Sequence, residues 1–114
     1  MFDYFKWEES EVNSALSCYN WETSPDTATT WRIGDASAAF YNYVYYHCAG
    51  FSEHDTFRSN QIREGLITRA EALNLVFEEN KPRIPNIKWY LDVLSLNFDD
   101  VMSVVNNIEP VNIL

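Results

Sequence analysis

Apolar and polar positions along the chain fall into a series of short helical stripes separated by breaks. In EESEVNSALSCY, Val12, Ala15, Leu16 and Tyr19 recur at the spacing of one helical face. Residues 20–36, NWETSPDTATTWRIGDA, lose that period; rich in Thr, Asp and Ser, with Pro25 and Gly34, they predict a long irregular connection. The following SAAFYNYVYYHCAGF is apolar or aromatic almost all round. Its Tyr and Val content suits a strand, but its uninterrupted length exceeds that of ordinary strands. It therefore predicts a central helix, buried on most sides and closed by Gly50.

Four further signals complete the pattern. HDTFRSNQIREG reads as a short helix ended by Gly65. In TRAEALNLVFEEN, Thr68 and Glu71 form a T-x-x-E capping box, with Leu73, Val76 and Phe77 expected inward and Arg69, Asn74, Glu78 and Glu79 outward. KPRIP breaks the period, and Pro85 suits the opening of the next helix, which carries Ile87, Tyr90, Leu91 and Leu94. Asn97 and Asp100 repeat the capping logic ahead of Phe98, Val101, Met102, Val105 and Ile108. The expectation is an all-α, compact domain of five or six short helices with one long N-terminal loop and no internal repeat.

Composition narrows the function classes. At 114 residues the chain has the size of one domain, and 46% apolar residues supply enough surface for a core. A net charge of -9 disfavours nucleic acid and anionic membranes, since both reward cationic surfaces. The acidic N-terminus MFDYFKWEESE lacks the pattern of a signal peptide, so a cytoplasmic location is expected, with Cys18 and Cys48 as reduced thiols. The charge is unevenly spread: residues 32–69 hold four arginines, Arg32, Arg58, Arg63 and Arg69, against four acids. Such an island suits an anion, because guanidinium forks match phosphate and carboxylate geometry. It suits equally a set of surface ion pairs.

Searches for familiar chemistry mostly fail. Gly34, Gly50 and Gly65 are too scattered to cradle phosphate. His47 and Cys48 are neighbours on a helix, so their side chains diverge and form no nucleophile and base pair. Cys18, His47, Cys48 and His54 lack metal-ligand spacing, and no metal is expected. HDTFR places His54, Asp55 and Arg58 within one turn, either as a polar cluster for a substrate or as a helix start whose Asp55 serves free amides. TATTWRIGD packs Trp31, Arg32, Gly34 and Asp35 into five residues of a loop, which favours binding.

The segments YFKWEE, NWETSPDTATTWRIGD and FYNYVYYHCAGFSEHDTFRSNQIREGLITRAEAL resemble the C-terminal part of the N-acetyl sugar amidotransferase family of lipopolysaccharide and O-antigen biosynthesis, related to the ATP pyrophosphatases. The resemblance spans roughly residues 4–108 and is most specific in TWRIGD and GFSEHDTFRSNQIREG. It implies a PP-loop domain that uses ATP and magnesium to adenylate a carboxylate of a nucleotide-linked sugar, with ammonia from a glutaminase partner displacing AMP. No Ser-Gly-Gly motif occurs in this sequence. The implied role is thus a helical domain without cofactor or catalytic residue of its own, completing a nucleotide-sugar or ATP site with a PP-loop domain.

Under that implication the candidate substrate-binding residues are Trp31, Arg32, Asp35, His54, Asp55 and Arg58. Trp31 would stack on a base or sugar and Arg32 would hold an anion, while Asp35 would orient Arg32 or accept a sugar hydroxyl. Alternatively Trp31 fills the core and Arg32 pairs with Asp35 to close the loop. The competing function is a stand-alone acidic helical module that binds a protein partner without catalysis.

Overall fold

The computed structural model describes residues 8–21 and 37–111. Its described residues form six α-helices and one 3-10 turn, with no strand among them. The chain divides into two compact units, Met1–Ile33 and Gly34–Leu114.

In the first unit, α1 spans Glu9–Leu16 and tightens into a 3-10 turn at Ser17–Tyr19, ending on Asn20 in the left-handed region at φ 53°. Val12 and Leu16 are half-buried, whereas Ala15 and Tyr19 are exposed. The expected stripe is thus only partly engaged, because a 3-10 turn advances about 120° per residue and swings Tyr19 off the α-helical face.

The second unit comprises α2 (Ala38–Ala49), α3 (Glu53–Arg63), α4 (Arg69–Glu79), α5 (Ile84–Val93) and α6 (Phe98–Asn106). Gly50 closes α2 as expected, at φ 76°, donating its amide to the Tyr46 carbonyl at 3.0 Å. The expected burial on most sides does not occur: no α2 residue is fully buried, and Tyr45 and Tyr46 are exposed. One face of α2 supplies Ala39, Phe40 and Tyr43 to a core formed by Ile87 and Leu91 of α5 and Met102 of α6. Away from this core, the Tyr41 hydroxyl donates to Glu53 Oε2 at the start of α3 at 2.7 Å. The far end of this core is tied by polar bonds: the Tyr43 hydroxyl donates to Asn106 Oδ1 at 2.7 Å, His47 Nε2 lies 3.2 Å from the Ile108 carbonyl, and the Val111 amide donates to the Cys48 carbonyl at 2.7 Å.

The remaining helix starts follow local chemistry. Pro85 stands in the first turn of α5, and Asn97 Oδ1 accepts the Asp100 amide of α6 at 3.0 Å. On α4, Thr68 Oγ1 accepts the Glu71 amide at 3.2 Å while Glu71 Oε2 accepts the Thr68 amide at 2.8 Å, closing the expected box. These bonds from the Thr68 backbone and then its hydroxyl hold the Glu71 carboxyl below its ordinary value of 4.5. A carboxyl lowered on folding contributes stability that is full above the unfolded value and disappears as pH falls through the lower folded one. Amide exchange along α4 should therefore accelerate slightly as pH drops below 4.5, after correction for the intrinsic pH dependence of exchange. That increment should vanish in Glu71→Gln, whose acid response should match that of the other helices.

Candidate functional site

The polar seam between α3 and α4 gathers most of the buried polar side chains. On α4, Ala72 and Glu79 lie seven residues apart and therefore on one face, and both are buried. The small Ala72 brings the helices close, and Glu79 then meets Arg58 of α3. Arg58 Nε donates to Glu79 Oε2 at 3.2 Å, Arg58 Nη2 donates to Glu79 Oε1, and Arg58 Nη1 donates to Gln61 Oε1 at 2.8 Å. The guanidinium carbon also sits 5.0 Å from the centre of the Phe57 ring. The Arg58 and Glu79 side chains are only 2% and 1% exposed, so the pair is almost wholly withdrawn from water.

This geometry corrects the expected orientation of α4. Glu79 faces inward, not outward, while Leu73 and Phe77 are exposed, Phe77 by 71%. The reason is energetic: leaving Arg58 unpaired in the seam would cost more than leaving two apolar side chains in water. The same seam explains Asp55. Its Oδ2 accepts the Ser52 amide at 2.9 Å and Asn80 Nδ2 at 2.8 Å, and Ser52 Oγ accepts the His54 amide at 3.2 Å. Ser52 and Asp55 form a capping box on α3, and Asn80, at the end of α4, locks onto both, since Ser52 Oγ donates to its Oδ1.

His54 is buried beside a void of about 20 Å³ that Glu79, Asn80 and Arg83 also line. Arg83 Nη2 stands 3.5 Å from His54 Nε2.

Of the expected site residues, His54, Asp55 and Arg58 come together, but as members of a helix-joining network. Arg58 and Arg69 do border one depression of about 140 Å³ with Asp55. Yet the guanidinium of Arg58 is occupied by Glu79 and Gln61, and Arg63 is exposed, with Nη2 donating to Asn60. Trp31, Arg32 and Asp35 lie outside the described residues. Ser52, Gln61, Glu79 and Asn80 were not anticipated. The S-x-x-D spacing of Ser52 and Asp55 was the available signal for the cap. Nothing local signals Glu79, whose partner stands twenty-one residues earlier.

Among the described residues no group of three or more His, Cys, Asp and Glu is placed to hold a metal, and no helix is long and apolar enough to cross a membrane. Comparison with protein-family models, curated proteins and solved structures gave no match.

A different feature stands out on α5. Ile87 and Leu91, four residues apart, are 0% and 1% exposed, while Trp89 and Val93 on the opposite side are 58% and 62% exposed. Leu94 and Leu96 just beyond the helix are also exposed. The exposed side of α5 thus mixes the apolar Trp89 and Val93 with the charged Lys88 and Asp92. A large aromatic ring left in water among charged neighbours is a common feature of interaction surfaces.

Proposed function

We propose that the chain is a non-catalytic, cytoplasmic helical docking domain whose α5 surface, Trp89, Val93, Leu94 and Leu96, is covered by another polypeptide. The single observation that carries this reading is the exposure of Trp89 and Val93 on the side of α5 away from the core. Aromatic anchors at the centre of an apolar surface supply much of the binding energy of protein interfaces. Two free thiols, Cys18 and Cys48, accord with a reducing compartment. The engagement of Asp55 and Arg58 within the α3 and α4 seam supports a structural role for this seam in holding the domain together.

The resemblance to N-acetyl sugar amidotransferases supplies a narrower form of the same reading. The covering polypeptide would then be a PP-loop domain or a glutaminase subunit, and the chain would contribute to a nucleotide-sugar or ATP site completed by that partner.

Site-specific photocrosslinking in the native cells tests the reading. A benzophenone amino acid at position 89 or 93 should give a discrete crosslinked species, and the same probe at the exposed positions Glu64 and Asp99 should not. A PP-loop or glutaminase sequence in that species would favour the narrower form. Crosslinking absent at all four positions, or equal at all four, would overturn the docking assignment.

A further inference from the structure

We propose that the depression between the outer face of α2 and the start of α3 is a binding site for a quaternary ammonium group. The depression measures about 410 Å³ and is lined by Tyr41, Tyr45, Phe51, Ser52, Glu53 and Thr56. Tyr41 and Tyr45, one turn apart on α2, form an edge-to-face pair with ring centroids 6.5 Å apart and planes at 87°. Phe51 follows the left-handed Gly50 that turns the chain toward α3, and both Phe51 and Tyr45 are exposed. Aromatic rings with an anionic group beside them are the chemistry that holds a tetraalkylated ammonium: a ring face attracts the diffuse positive charge and needs no hydrogen-bond donor.

Glu53 supplies the negative charge. Its Oε2 accepts the Tyr41 hydroxyl at 2.7 Å and its Oε1 accepts Asn42 Nδ2 at 3.2 Å, while the Glu53 amide donates to Asn42 Oδ1 at 3.2 Å. These bonds fix the carboxylate and the Tyr41 ring before any ligand arrives. Because both oxygens already accept protein donors, Glu53 acts on the ligand mainly through its field. That favours a cation without N–H groups over a primary ammonium, which would need those acceptors to replace its lost water. The chain's net charge of -9 favours the approach of cations over anions in general.

The site is separate from the α5 docking surface, so the two readings fail separately. The test titrates the full chain with choline chloride, against sodium chloride at equal ionic strength, while the ring signals of Tyr45 and Phe51 are followed by NMR. Saturable shifts are expected, with the uncharged isostere 3,3-dimethylbutan-1-ol and the primary cation methylammonium each binding more weakly. Phe51→Leu and Tyr45→Leu keep an apolar side chain but remove a ring face, and each should weaken choline about two- to fivefold. Glu53→Gln should weaken it in the same direction with helical content unchanged, and Trp89→Ser should leave it intact. An acetylated trimethyllysine amide and phosphatidylcholine vesicles, used as competitors, distinguish a peptide source from a lipid one. Linear, non-saturating shifts, equal binding of the neutral isostere or of methylammonium, or an unchanged response in both leucine variants would each overturn the proposal.

Discussion

Glu79→Ala should destabilise the helical unit by about 3–5 kcal/mol, because it strands the Arg58 guanidinium in a buried seam. For a domain of this size that corresponds to a fall in Tm on the order of 10–30 °C, readable by circular dichroism at 222 nm. Arg58→Met should be nearly as damaging, since it leaves the Glu79 carboxylate without its two donors. The double variant Arg58→Met, Glu79→Leu should recover most of the loss, because two apolar side chains of similar bulk can replace a buried ion pair without leaving a charge behind. A single Glu79→Ala variant that lost under about 1 kcal/mol would behave like a broken surface pair, and the buried seam would be wrong.

The second large effect separates the two faces of α5. Leu91→Ala removes atoms from the most enclosed part of the core and should cost about 2–5 kcal/mol, depending on how far Phe40, Tyr43 and Met102 relax into the space. Val93→Ala, two residues later on the opposite face, should change stability by no more than about 0.5 kcal/mol. Urea denaturation of the isolated chain measures both. Comparable losses at the two positions would show that the outer face is already covered within the chain, and the docking reading would fail with it.

How much of this was legible in the sequence differs from helix to helix. The helix starts at Thr68, Pro85 and Asn97, and the glycine stops at Gly50 and Gly65, depend on neighbours within four residues, so local spacing found them. The inward faces of α5 and α6 were legible in part: Ile87, Leu91, Met102 and Val105 keep helical spacing and are buried, whereas Leu94 and Ile108, which extend the same stripes past the helix ends, are exposed. The face of α4 was not. Its apolar stripe of Leu73 and Phe77 pointed one way and the Arg58 pairing of Glu79 the other, and only tertiary contact decides between them. The burial of α2 was overestimated for a related reason: an all-round apolar helix predicts burial only if the fold provides neighbours on every side, and this unit places α5 and α6 on one. As for the site, clustering of His54, Asp55 and Arg58 was readable from HDTFR, but their commitment to Glu79, Asn80 and Ser52 was not, since two of those partners arrive from the end of α4.

The smallness of the apolar core carries a thermodynamic consequence. Among the described residues, the fully buried hydrophobic side chains are Ala72, Ile87, Leu91, Met102 and Val105, and polar and charged side chains fill the α3 and α4 seam. Unfolding such a unit brings little new apolar surface into contact with water, and it is apolar hydration that gives unfolding its positive heat capacity while polar exposure subtracts from it. A heat-capacity change smaller than that of a unit of equal length with a larger core is accordingly expected, and with it a flatter stability curve. A polypeptide seated on Trp89 and Val93 would sharpen that curve, adding the curvature that the isolated chain lacks.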